Sequence, residues 1–189
     1  MFLRGCSLRC RFCYRPDELK ARGRTECSPQ RVAALLDQSA TEGAESWQFL
    51  GGNPDESLPG ILAALLCVQK ARPVVWNSAL MLTEPAMRLL FGVVDIWLPD
   101  WKFGNDSCAQ EIANVSNYLQ TIRRNLTLLA DQTHVLVRHM TSPRHDQCCS
   151  TIIRHEVRQL SRDLHEFPEN GIVRFDQPID VHDLSLIHI

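Results

Sequence analysis

The strongest constraint on the fold is an alternation of two periodicities along the chain. Runs rich in Trp, Val, Ile and Phe recur at 46–50, 73–77, 93–98, 134–139 and 171–175, a composition that favours β-strands. Stretches such as Val74-Val75-Trp76 and Val93-Val94 are nearly continuous in apolar residues, as in strands covered on both faces. Helical patterns lie between them. Ser28-Pro29 reads as an N-cap followed by proline in the first turn, after which Val32, Leu35, Leu36 and Ala40 share a face. Ser57 is expected to cap a second helix with the stripe Leu58, Ile61, Leu62, Leu65 and Leu66, and Thr83-Glu84-Pro85 opens a third. Segment 106–129 is expected to hold two helices broken near Ser116. Cys149, Ile152, Ile153, Val157 and Leu160 mark a last amphipathic helix.

Strands that alternate with helices form right-handed βαβ units and a parallel sheet. The expected class is therefore α/β with parallel strands. The unusual residues follow the strands: Gly51-Gly52-Asn53-Pro54, Asn77-Ser78, Pro99-Asp100-Trp101-Lys102 and Met140-Thr141-Ser142-Pro143. Ligands bind at the C-terminal strand ends of parallel α/β folds, so these loops predict one site on one rim.

Composition narrows the function. The 189 residues are 44% hydrophobic with a formal net charge of −2, which fits one globular domain and argues against a broad nucleic-acid surface. No long apolar run signals a membrane span or a secretory leader. Eight cysteines are present. The chain is long enough to build a core without disulfide staples, and three cysteines crowd into residues 6–13. Metal or cluster binding in a reducing cytoplasm is the expectation.

The crowded segment reads Cys6-Ser7-Leu8-Arg9-Cys10-Arg11-Phe12-Cys13. Three thiolates on a short loop can wrap an iron–sulfur cube and leave one iron open for chemistry. A zinc site is the rival, but zinc favours four ligands and often two Cys-x2-Cys pairs. Here Cys27 or a histidine would have to be the fourth. The C-x3-C-x-aromatic-C spacing resembles the signature of the radical S-adenosylmethionine (SAM) superfamily. That resemblance implies a 4Fe–4S cluster on Cys6, Cys10 and Cys13, SAM at the open iron, and Phe12 near the adenine.

Other segments extend the likeness. Gly51-Gly52-Asn53 resembles the superfamily's Gly-Gly-Glu motif, which helps hold the SAM amino group, with Asn53 where Glu is usual. Asp100-Trp101-Lys102 resembles the Asp-x-Lys of glycyl-radical-enzyme activases; by that analogy Lys102 meets the SAM carboxylate and Asp100 lines the substrate or a cation site. Asn77-Ser78 and Val137-Arg138-His139 are similar to strand ends of the same group. The resemblance covers about residues 2–176 and points to an uncharacterised branch similar to pyruvate formate-lyase-activating enzymes. The cofactor-binding candidates are thus Phe12, Gly51, Gly52, Asn53, Asn77, Ser78, Asp100, Lys102 and Arg138.

What this implies is a partial (β/α)6 barrel over residues 1–183, with its first strand missing or a stub and both ends apparently cut. The activity implied is reductive cleavage of SAM to a 5′-deoxyadenosyl radical for hydrogen abstraction. An electron donor such as flavodoxin or ferredoxin is implied, and a protein substrate is one option. A non-catalytic iron–sulfur or zinc-binding interaction protein is the alternative. Cys67, Cys108 and Cys149 read as packing residues, Cys148-Cys149 as at most a redox pair, and Cys27 as superfluous to the cluster. Among the histidines only His139 falls at a rim strand end; His134, His145, His155 and His165 read as surface or capping residues. The last six residues, Leu184-Ser185-Leu186-Ile187-His188-Ile189, match a reading of a transposon-derived adapter and are expected to be non-native.

Overall fold

A computed structural model describes residues 1–16, 27–129, 134–139, 149 and 151–156, with the backbone of 174–175. The order is β1 (Phe2–Leu3), α1 (Pro29–Thr41), β2 (Trp47–Gly51), a 3-10 turn (Pro54–Ser57), α2 (Leu58–Leu65), β3 (Val74–Ser78), α3 (Glu84–Leu90), β4 (Ile96–Pro99), α4 (Asp106–Ala113), α5 (Tyr118–Leu128), β5 (Arg138–His139) and β6 (Arg174–Phe175).

The strands pair in parallel and in chain order. Strands β1 to β4 form one four-stranded sheet, and β5 pairs with β6. Parallel bridges Trp97↔Val135 and Asp100↔Arg138 join the two. The register aligns Leu3 with Gly51 and Ser78 with Pro99, so the C-terminal strand ends share one rim. Trp76, Trp97, Phe49, Met87, Leu90 and Ile122 fill the core between sheet and helices, each at most 1% exposed. The α/β reading therefore holds.

Local signals hold in part. Ser28 caps α1 by accepting from the Arg31 amide, with Pro29 in the first turn. Segment 106–129 does split into two helices, and Asn114 and Asn117 adopt left-handed conformations at the break.

Several expectations are corrected. Ser57 makes no capping hydrogen bond; it ends the 3-10 turn that leads into α2. Leu35 and Leu66 are exposed at 40% and 88%, because α1 turns Ala33, Leu36 and Ala40 to the core and α2 turns Leu58, Ile61 and Ala64 to it, with Leu66 just past its end. Strand β4 starts at Ile96, since the amides of Val93 and Val94 both turn back to the Leu90 carbonyl. Strand β1 is a two-residue stub. Residues 151–156 are helical, with Cys149 and Ile153 buried. Val157, Leu160, His145, His165, Cys148, residues 140–143 and the tail 184–189 lie outside the described residues. Among the described residues no helix is long and apolar enough to cross a membrane.

Candidate cluster and SAM site

The cysteine loop leaves the end of β1 and is held mainly by backbone contacts. Arg9 and Arg11 donate their amides to the carbonyls of Ala113 and Ile112 at 2.8 and 2.9 Å. These are orphan carbonyls of the last turn of α4, which the loop satisfies. The Ser7 amide donates to Glu56 Oε1 at 3.0 Å. The Arg9 guanidinium donates to the carbonyls of Cys6 and Leu8, and Leu8 anchors the loop in the core at 1% exposure.

The paired glycines support this loop. A Cβ on Gly51 would stand 2.3 Å from the Leu3 carbonyl oxygen, and one on Gly52 only 2.2 Å from that of Gly5. Gly51 also has φ +127°, a conformation natural to glycine. The Gly52 amide donates to Leu3 at 2.9 Å. Only glycine at both places lets β1 and the start of the cysteine loop lie this close against the end of β2.

Cys6, Cys10 and Cys13 are half-buried free thiols. Burial pushes the Cys6 thiol above its ordinary range and Cys10 to about 11; negative charge on their neighbours adds to this, and the Lys102 ammonium pulls back. Three thiols on one short loop, with a cation near Cys6 and Cys10, suit a cluster, whose irons stabilise the thiolate form. Among the described residues no three His, Cys, Asp or Glu side chains gather about a single-ion centre. A cluster asks less convergence, because each thiolate takes a different iron.

Lys102 belongs to a charged network at the ends of β3, β4 and β5. Its Nζ donates to Asp100 Oδ2 at 2.8 Å. Arg138 donates to Asp100 Oδ1 through Nη2 at 2.6 Å and Nε at 2.9 Å, and also to Asn77 Oδ1. Burial opposes the Asp100 charge, but Lys102 and Arg138 outweigh it and hold the carboxyl below its usual range. Burial likewise opposes the Lys102 charge, and Asp100 outweighs it, so the ammonium is held above its usual range. Two cations and one carboxylate leave one positive charge in surplus. His139 is buried and donates Nδ1–H to the Trp101 carbonyl at 2.7 Å; burial keeps its pKa low.

The structure thus brings together Asn77, Asp100, Lys102 and Arg138, with Lys102 close enough to Cys6 and Cys10 for its charge to act on them. Phe12 packs at 6.0 Å against Phe103. Asn53 and Ser78 are buried and engaged within the fold: Asn53 donates to Asp55 and accepts from the Ala79 amide, and Ser78 Oγ accepts from the Leu80 amide. Sequence reasoning missed Asp55, Tyr118 and Asn125. Asp55 accepts from Trp76 Nε1, the Met81 amide and Asn53 Nδ2. A carboxylate two residues after a rim Gly-Gly-Asn was the available signal. For the other two, it was a tyrosine and an asparagine sharing a helix face with Ile122.

The sequence profile of the Radical SAM superfamily matches residues 1–146. The chain belongs to the radical SAM superfamily. The cofactors of that family are a 4Fe–4S cluster and SAM, and the thiol loop described above has the donor set for the first. An uncharacterized protein of Methanocaldococcus jannaschii is 36% identical over 157 residues, which are 79% of this chain and 46% of that protein. The crystal structure of SuiB from Streptococcus suis covers 92% of this chain and 41% of its own, with a TM-score of 0.56 at 12% identity. The same protein bound to S-adenosylmethionine matches with a TM-score of 0.57 at 13% identity, over 93% of this chain and 42% of its own. Bound to the precursor peptide SuiA it matches over 86% and 36%, with a TM-score of 0.57 at 14% identity. These likenesses show the fold. The chain spans less than half the length of these relatives.

Proposed function

We propose that this chain is the SAM-cleaving core of a radical enzyme, with Cys6, Cys10 and Cys13 as cluster ligands. The observation that carries the reading is three half-buried thiols on one short loop, two of which, Cys6 and Cys10, feel the charge of Lys102 from the rim where Asp100, Arg138 and Asn77 meet. Cys6, Cys10 and Cys13 would hold the cluster, which would supply the one-electron reduction that cleaves SAM for hydrogen abstraction from a substrate.

The chain's own residues bind and orient. The surplus positive charge of the Asp100–Lys102–Arg138 network suits the carboxylate of SAM, with Lys102 as the contact. Asp100 keeps Lys102 charged and aimed. Phe12 offers an aromatic face beside Cys13 for the adenine. Gly51 and Gly52 keep the loop seated, and Asn53 and Ser78 shape the rim from beneath. A reducing donor such as flavodoxin or ferredoxin is the partner this chemistry needs. The target we favour is a protein or peptide backbone, by the activase-like motifs and by the fold shared with a peptide-bound protein.

Anaerobic reconstitution with iron and sulfide, followed by reduction in the presence of SAM, tests the reading. The protein should form 5′-deoxyadenosine, and Cys10→Ala should reduce this to background along with the iron content. One zinc per chain with neither iron nor sulfide would sink the reading and favour a zinc-binding interaction module.

A further inference from the structure

Helix α5 carries two buried polar side chains that the chemistry above does not use. Tyr118 and Asn125 are each 0% exposed. Seven residues apart, they lie on one helix face. Asn125 Nδ2 donates to the carbonyls of Leu80 and Leu82, both at 2.8 Å. Tyr118 Oη accepts from the Lys102 amide at 2.6 Å and donates to the Asp100 carbonyl at 3.4 Å. One helix face therefore grips both the turn after β3 and the turn after β4.

Both turns need such a grip. Leu80 has φ +55°, a left-handed conformation that a bulky side chain avoids unless its surroundings impose it. The amides of Ala79, Leu80 and Met81 go to Asn53, Ser78 and Asp55, so Asn125 completes the fixing of that turn from the carbonyl side. In the second turn the phenol bridges the two residues whose side chains form the Asp100–Lys102 pair. Burial holds the phenol protonated, so it keeps the proton it donates. Its ring meets Phe103 edge-on at 5.2 Å, and Phe103 in turn meets Phe12 of the cysteine loop.

We propose that α5 is a brace for the cofactor rim, in which Tyr118 is a positioning residue that holds Lys102 in register for the carboxylate end of SAM and Asn125 fixes the neighbouring turn after β3. The inference rests on the SAM reading above. Tyr118 acts through Lys102, not by touching the cofactor.

Tyr118→Phe removes the hydroxyl and keeps the ring, and SAM binding to the reconstituted protein is measured anaerobically by calorimetry. The Kd should rise about fivefold to tenfold, the scale of one net hydrogen bond, with iron and sulfide per chain unchanged. In a Lys102→Met background the same substitution should change Kd by less than about twofold, because coupled residues are not additive. Equal weakening in both backgrounds, or none in either, overturns the brace. If the wild type binds no SAM, the cofactor reading fails instead, and hydrogen exchange on the cofactor-free protein decides the brace. There Tyr118→Phe should speed exchange of the Trp101 and Lys102 amides about tenfold or more and spare the β2 amides; Asn125→Leu should do the same to the amides of 79–82. A uniform change, or no change, overturns it.

Discussion

Asp55 and Asp100 stand two strands apart on the same rim and are held in opposite ways. Asp55 accepts from neutral donors: the Trp76 indole at 3.0 Å, the Met81 amide at 2.9 Å, the Asn53 amide at 3.1 Å and the Ser78 hydroxyl. Burial wins there and pushes its carboxyl above the usual range, and the donors offset this only in part. Asp100 faces two cations, and they overcome burial. Neutral donors secure a carboxylate's position, whereas cations also secure its charge. The Asp55 side is accordingly a lock that ties the ends of β2 and β3 together. The Asp100 side is a charged surface with one positive charge to spare, which is what an anionic ligand requires.

If that division is right, substitutions on the two sides should damage different properties. The largest effect is expected on the lock side, at Gly52. Its missing Cβ leaves room for the Gly5 backbone, and both partners of the clash are main chain. Gly52→Ala should cost about 3 kcal/mol in urea unfolding and lower cluster incorporation, since it displaces the cysteine loop. Lys102→Met comes next. It should weaken SAM binding by about 2 kcal/mol, roughly thirtyfold in Kd, yet leave unfolding nearly unchanged. The Lys102–Asp100 pair keeps about a quarter of each side chain exposed, at 24% and 27%, and such pairs contribute at most about 1 kcal/mol to stability. Equal losses of stability from the two variants would erase the distinction.

The parallel strands and the shared rim were legible in the sequence, because each rests on a local pattern, and so was the thiol loop on which the proposed cluster reading stands. Val74-Val75-Trp76 reads as a buried strand without help from elsewhere, and the spacing of Cys6, Cys10 and Cys13 carries its chemistry with it. What was not legible depends on contacts between distant segments. Gly51 and Gly52 read as a close approach to a ligand, but the approach that demands glycine is that of Leu3 and Gly5. Asn53 reads as a weakened cofactor contact; that its amide also joins Asp55 to the Ala79 amide is visible only in the fold. Tyr118 looks like one more apolar residue of an amphipathic helix until its hydroxyl meets the Lys102 amide 16 residues back. Leu35 and Leu66 fail for a simpler reason. A helical stripe wider than the surface it covers leaves its margins in water.

The smallest effect is the sharpest test, because the two carboxylates should respond to pH in opposite directions. An unfolded aspartate titrates near pH 3.9, by a rough model-peptide value. Asp100 lies below that value in the folded chain, so its ionised pair stabilises the fold above about pH 4 and the contribution fades as pH falls through the lower folded value. Asp55 lies above it, so its contribution is full below about pH 4 and fades as pH rises through the raised folded value. The penalty of Asp100→Asn should therefore grow with rising pH, and that of Asp55→Asn should shrink. Urea unfolding of the cluster-free protein between about pH 3 and pH 7, each variant read against the wild type, measures both slopes. Slopes of the same sign would mean that the two carboxylates share one environment, and the division of the rim into a neutral lock and a charged binding surface would fall with them.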